Sequence, residues 1–574
     1  MHDLVIRAAN LVDGTGAPAR TADIAIDGDR ITEVGRITGE AQRTLDADGL
    51  LVTPGFVDIH THYDAQVTWD PQLSPSAGHG VTTAIFGNCG VGFAPCAPDR
   101  HRFLIELMEG VEDIPGSAME AGLRWEWETF PEYLDALDRG NFALDVGAHI
   151  AHGAVRAYAM GERGARNEAA TPEDIERMAE IVREAVAAGA VGFSTSRTRV
   201  HRARNGEPVP GTFAAEDELF GIGRAMASLD KGVFEVAQEG AVGEDLDSEG
   251  AVQRELDWMR RLSAETGRPV SFAVIQNASE PERWREQLDV AAKATAEGAN
   301  LVCQVSGRPP GVLIGLQGVY HPFARCKSYV AIEALPLAER VAQLRDPALK
   351  ARLLNEAAAD ESPMMGFFRD FAGLFPVGNP PCYEPRAEDS VAGRAKAASR
   401  QPMDVLYDLL LEDGGEALLL RPSGNYVDNS IEAIREMLDH PRAVLSLADG
   451  GAHCGMIADA SAPTFMLSYW VRDRSRGERL QLERVIQHMT SDTARVYQLR
   501  DRGVIAAGLK ADLNLIDHEN LSLIAPEMRF DLPGGGRRLF QAAKGYRATI
   551  VSGVVTQEHD APTGELPGRL IRSA

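Results

Sequence analysis

The sequence predicts an α/β fold: a TIM-like (β/α)8 barrel with a small β-sandwich domain built from both chain ends. Three observations carry this. Apolar, strand-like runs alternate with amphipathic helices through most of the chain, the pattern of a parallel sheet. About eight such units over about 440 residues fit an eightfold barrel with an insertion. Segments of alternating polarity stand at both ends, and chain termini often lie close together.

The N-terminal runs DLVIRAANLVD, ADIAIDGDRITEVG and TLDADGLLVTPG are short strands, with Asp27-Gly28 suited to a hairpin turn. They assign residues 1–54, with 496–574, to the β-sandwich. Residues 55–495 form the barrel, whose strand-like runs after the first are VTTAIFGN, FALDVGAHI, AVGFSTS, GVFEVAQ, PVSFAVIQ, NLVCQVS, EALLLRP and AVLSLADG. TPEDIERMAEIVREAVAAGA is the clearest helix, opening on a capping box of Thr171 and Asp174 and closing at Gly189. An insertion rich in Pro, Gly and Ala occupies about 310–400. The runs KADLNLIDHENL and YRATIVSGVVTQ restore β texture at the end.

Composition excludes several classes of function. The 574 residues carry a net charge of −26, which repels nucleic-acid phosphates. No run reaches the ~18 apolar residues of a membrane span. MHDLVIRAANLVDG lacks the basic-then-apolar order of a secretory signal. Six scattered cysteines form no CxxC pair, as in a reducing compartment. These features predict a cytoplasmic protein with a small-molecule partner, no nucleic-acid or membrane partner, and room for self-association.

Barrel active sites lie where strands end. The first strand, in TPGFVDIHTHYD, ends with His60 and His62, which point to one face as two metal ligands must. The second ends in Gly87-Asn88-Cys89-Gly90, where Cys89 reads as a thiolate ligand or a buried structural cysteine. The last ends at Asp449, a metal ligand and general base or a turn residue, with His453 four residues on. His149 and His152 follow the third strand as substrate contacts or buried histidines.

PGFVDIHTHYD, GVTTAIFGNCG, LADGGAH and GLKADLNLID, in this order, resemble the amidohydrolase superfamily, within it the N-acyl-D-amino-acid deacylase (D-aminoacylase) branch. The resemblance covers nearly the whole chain. It implies metal-dependent hydrolysis of a C–N amide bond, with His60, His62, Cys89 and Asp449 at the metal and Asp449 moving the proton. It also implies that Cys89 replaces the bridging carboxylated lysine of dihydroorotase-like relatives; the fourth strand tip, VGFSTSRT, offers no lysine.

Two departures follow. The resemblance implies histidines at the ends of strands five and six, but GVFEVAQEG and PVSFAVIQN have none; their polar groups are Gln238, Glu239, Gln276 and Asn277. We therefore expect one Zn2+ on His60, His62 and Asp449, with Cys89 near or coordinating, and Glu235 and Glu239 as reserve ligands. The resemblance also implies a carboxylate-clamping arginine shortly after Asp449. The corresponding MIADASAPTFML has none. The substrate is then an N-acyl amine without an α-carboxylate, or an N-acyl amino acid held by Arg197, Arg308 or Arg421, with His152, Gln276 and His453 as further contacts. Two rival functions remain: a cyclic amide or imide hydrolase or deaminase on the same fold, and a non-catalytic barrel that lost its second metal site.

Overall fold

A computed structural model describes residues 1–240 and 250–573. Eight parallel strands lie side by side in chain order: Phe56–Asp58, Val81–Phe86, Asp145–Ala151, Gly192–Ser196, Val233–Ala237, Val270–Ala273, Leu301–Ser306 and Ala443–Ser446. They are called strands one to eight below. Their residues are almost all buried, because barrel contents cover one face and helices the other.

The seam between strands one and eight closes just past their ends. The amide of His62 donates to the Gly450 carbonyl (2.8 Å), and that of Asp449 donates to the His60 carbonyl (3.2 Å). Thr61 and Gly450 form a parallel bridge there. The residues that close the barrel are therefore the ones that carry the site.

The helix Pro172–Ala188 forms as its sequence dictates. Thr171 and Asp174 complete both halves of the capping box, and Gly189 ends the helix with a φ of 119°.

Strands from both chain ends join in one nine-stranded mixed sheet. The junction is Leu51–Pro54 running antiparallel to Leu513–Ile516. Ile6, Ile24, Val52, Leu513 and Ile550 share its core. Buried charges tie this part to the barrel floor: Asp145, opening strand three, accepts from Arg502 (2.6 Å) and Lys510 (2.5 Å).

One expected barrel strand lies elsewhere. In EALLLRP, Leu419–Pro422 pairs antiparallel with Gly311–Ile314 and Phe375–Pro376 in a separate three-stranded sheet. Leu420 packs in the barrel core and Leu419 in a second core with Phe323, Tyr329, Leu353 and Phe368. A strand buried on both faces is apolar throughout, as a barrel strand is, so periodicity does not separate the two. This sheet and the helices between Lys327 and Leu409 form the excursion between strands seven and eight. Among the described residues no helix is long and apolar enough to cross a membrane.

Candidate metal centre

Strand one delivers His60 and His62 into the C-terminal mouth of the barrel, and both are buried. Cys89 enters beside them from a turn with a left-handed backbone (φ 57°). Neighbouring glycines make that turn possible. A Cβ on Gly87 would lie 2.5 Å from the His149 carbonyl oxygen, and one on Gly90 2.6 Å from the Ser196 nitrogen. Asn88 fastens the turn by donating to the carbonyls of Thr61 and Ile85. The Gly-Asn-Cys-Gly motif is thus a device for placing one thiol.

One donor atom from each of His60, His62 and Cys89 lies within 4.8 Å of the others. Cys89 Sγ stands 3.4 Å from His60 Nε2. Asp449 Oδ1 is 3.5 Å from His60 Nε2 and 3.7 Å from His62 Nε2. Two imidazoles, a thiol and a carboxyl form the donor set that zinc prefers.

Electrostatics fit the same ion. Burial lowers the His60 pKa to about 4 and the His62 pKa well below its ordinary value, so both present neutral imidazoles. Burial pushes the Cys89 thiol well up, reinforced by Glu235 and Glu112. It also raises Asp449 to about 6, Glu235 to about 8 and Glu112 well above the carboxylate range. A divalent cation is the charge that would let a thiol and these carboxyls ionise together. His62 Nδ1 and Glu112 Oε1 are buried without a hydrogen-bond partner among the described residues, 3.5 Å apart.

Gln304, on strand seven, orients His60. Its Oε1 accepts from His60 Nδ1 (2.8 Å) and from Ser446 Oγ (2.8 Å), while its Nε2 donates to Ser271 Oγ (2.9 Å). That network keeps the proton on Nδ1 and turns the Nε2 lone pair towards Cys89 and Asp449. Gln304→Leu is expected to weaken zinc affinity about 10–100-fold in a chelator competition. Gln304→Glu, which keeps the acceptor, should stay close to the parent. Equal affinities for all three proteins would remove Gln304 from this role.

The cavity around these groups encloses about 240 Å³ and includes Glu112, His201, Glu235 and His453 in its lining. Glu235 is occupied: its Oε2 accepts the Cys89 amide (2.9 Å), so it holds the cysteine turn. Glu239 pairs with Arg199 (2.9 Å). Where strands five and six reach the cavity they present Ala237, Ala273 and Ile275 beside Glu235.

Of the expected substrate contacts, only His453 is among the described lining residues. His152 is satisfied by Thr195 and Glu218, both at 2.8 Å. Arg197 donates to the Ala214 carbonyl (2.7 Å) and to Glu255 (3.1 Å). Arg421 pairs with Asp370 (2.9 Å) and lies over the Phe367 ring. Gln276 donates to the Pro281 carbonyl (3.2 Å). In each case nearby acceptors hold the polar head away from the cavity. Arg308 is likewise buried against Asp459 (2.5 Å). His149 bonds Tyr497 (2.9 Å).

Polar site residues outside the sequence reading include Glu112, His201, Gln304, Thr198, Ser423 and Asp459. His201 had a usable signal. It follows the fourth strand tip by five residues, and its Nδ1 bonds Ser196 Oγ (3.0 Å). Glu112 closes the helix His101–Glu112, remote in sequence from any strand end.

Fold and site together define a metal-dependent amidohydrolase barrel. The chain belongs to the amidohydrolase family, which it matches over residues 43–557. It is 26% identical to a D-aminoacylase of Alcaligenes xylosoxydans xylosoxydans, over 99% of this chain and 97% of that protein. An N-acyl-D-glutamate deacylase of the same organism is also 26% identical, over 99% and 96%. Among solved structures, D-aminoacylase, described with a binuclear metal centre, superposes with a TM-score of 0.65 at 21% identity over 100% of both chains. The N-acyl-D-glutamate deacylase of Bordetella bronchiseptica, complexed with zinc and a phosphonate inhibitor, gives 0.65 at 21% identity, over 100% of this chain and 99% of that one. These likenesses establish the shared fold.

Proposed function

We propose that this protein is a zinc-dependent hydrolase that cleaves the amide bond of an N-acyl amino acid or a related N-acyl amine. The observation that carries the reading is the convergence of His60, His62, Cys89 and Asp449 at the mouth of the barrel. His60, His62 and Asp449 would hold one zinc ion, with Cys89 near or coordinating. Ala237 and Ala273, at the ends of strands five and six, cannot ligate a second ion, and Glu235 is engaged by the Cys89 amide, which supports a single ion. When bound, zinc supplies Lewis-acid polarisation of the scissile carbonyl and acidifies a water molecule.

The chain's own groups do the rest. Asp449 takes the proton of the attacking water and returns it to the leaving nitrogen, so the amine departs neutral. His201 and His453 line the same cavity and offer hydrogen bonds to the substrate carbonyl. His60, His62 and Cys89 are buried, and their low-polarity surroundings strengthen these interactions.

The test is hydrolysis by protein stripped with a chelator and then titrated with zinc. Turnover should vanish on stripping and return with about one equivalent. Turnover indifferent to chelation, or absent at every zinc load across N-acyl amino acids and neutral amides, would overturn the reading.

A further inference from the structure

We propose that the substrate is an N-acyl amine bearing no free carboxylate, with an apolar group next to the amide and an amine half that is neutral or cationic. This narrows the amide-hydrolase reading above and rests on it. The acidic groups lining the cavity are Glu112, Glu235, Asp449 and Asp459, and no lysine or arginine lines it among the described residues. Ile275, Pro310, Val312, Leu447, Met456 and Ile457 form an apolar stretch of its wall, beside the polar Thr198, Ser423 and the histidines.

The arginines that a substrate carboxylate would need are committed elsewhere. Asp459 and Ser461 hold Arg308, Glu255 holds Arg197, Asp370 holds Arg421, and Glu239 holds Arg199. Residues 241–249, AVGEDLDSE, lie outside the described residues and contain no Lys, Arg or His. Burial pushes His201, one of the lining histidines, down to about 3.

A buried carboxylate needs a charged or multiply donating partner, and without one its desolvation opposes binding. An N-acyl-D-glutamate, named in one relative, would bring two such groups to a cavity whose described lining holds no lysine or arginine, while the proposed zinc is taken up by the scissile carbonyl. A neutral amide with an apolar chain meets walls of its own character. A protonated amine elsewhere in the leaving half would meet Glu112, whose Oε1 has no hydrogen-bond partner among the described residues.

The test uses the full-length, zinc-loaded protein and a series sharing one acyl group: N-acyl-phenethylamine, N-acyl-phenylalanine amide and N-acyl-phenylalanine, the chiral members as both enantiomers. The two members without a carboxylate should exceed N-acyl-phenylalanine in kcat/KM by about tenfold or more. Equal or higher kcat/KM for either enantiomer of N-acyl-phenylalanine would overturn the proposal. If no member is hydrolysed, the amide-hydrolase reading fails instead, and calorimetric binding of the same series reads charge selectivity alone. Weaker binding of N-acyl-phenylalanine than of its amide sustains the proposal, and equal or tighter binding overturns it.

Discussion

Asp449→Asn is expected to lower kcat by ~10²-fold or more while the barrel stays folded. The substitution is well matched to its site. Asp449 has a left-handed backbone with a φ of 48°, a conformation that asparagine accepts more readily than most residues. Its amide bond to the His60 carbonyl involves only main chain and survives the change. What disappears is the carboxylate proposed to accept a proton beside the two imidazoles. Zinc content measured on the same sample separates the two proposed roles of Asp449. Retained zinc with lost turnover assigns it to proton transfer, and lost zinc assigns its main contribution to ligation. A variant with near-parental kcat would remove Asp449 from both.

The double variant His60→Ala plus His62→Ala should lose its zinc outright. Elemental analysis should fall from about one equivalent per chain to background, since two of the proposed zinc ligands of this site are gone. Stability should report the same event. An ion that binds the native state at a free concentration of 100 times its Kd adds about 2.7 kcal/mol to unfolding. Chelation should therefore lower the Tm of the parent and leave that of the double variant unchanged. The seam contacts at His60 and His62 are main-chain bonds, so the variant should fold. Two equivalents of zinc in the parent would contradict the single-ion proposal. No metal in either protein would sink the enzyme proposal altogether.

The strand tips were readable because their chemistry is local. His60 and His62 share a face by the two-residue period of a strand, and Cys89 lies in a turn whose flanking glycines advertise its geometry. The capping box at Thr171 was readable for the same reason. Contacts made across the fold were not. Gln304 lies mid-strand in LVCQVS, and only the stacking of strands six, seven and eight brings it to His60, Ser271 and Ser446. Glu112 reaches His62 from the end of a helix. The arginines misled in the opposite way. Each could clamp a carboxylate by its chemistry, but Glu255, Asp370 and Asp459, all distant in sequence, had already engaged them.

The main-chain bonds joining His60 to Asp449 and His62 to Gly450 give the site a tolerance of zero for slippage. Side chains on adjacent residues of a strand point to opposite faces. A one-residue insertion or deletion near Thr61 or Gly450 would therefore turn an imidazole or Asp449 away from the cavity and unzip the barrel in the same stroke. Such a lesion cannot yield a sound but inactive barrel, whereas side-chain substitutions can. Drift in this chain is thus confined, at the seam, to changes of residue type at constant length, while the excursion between strands seven and eight lies outside that constraint.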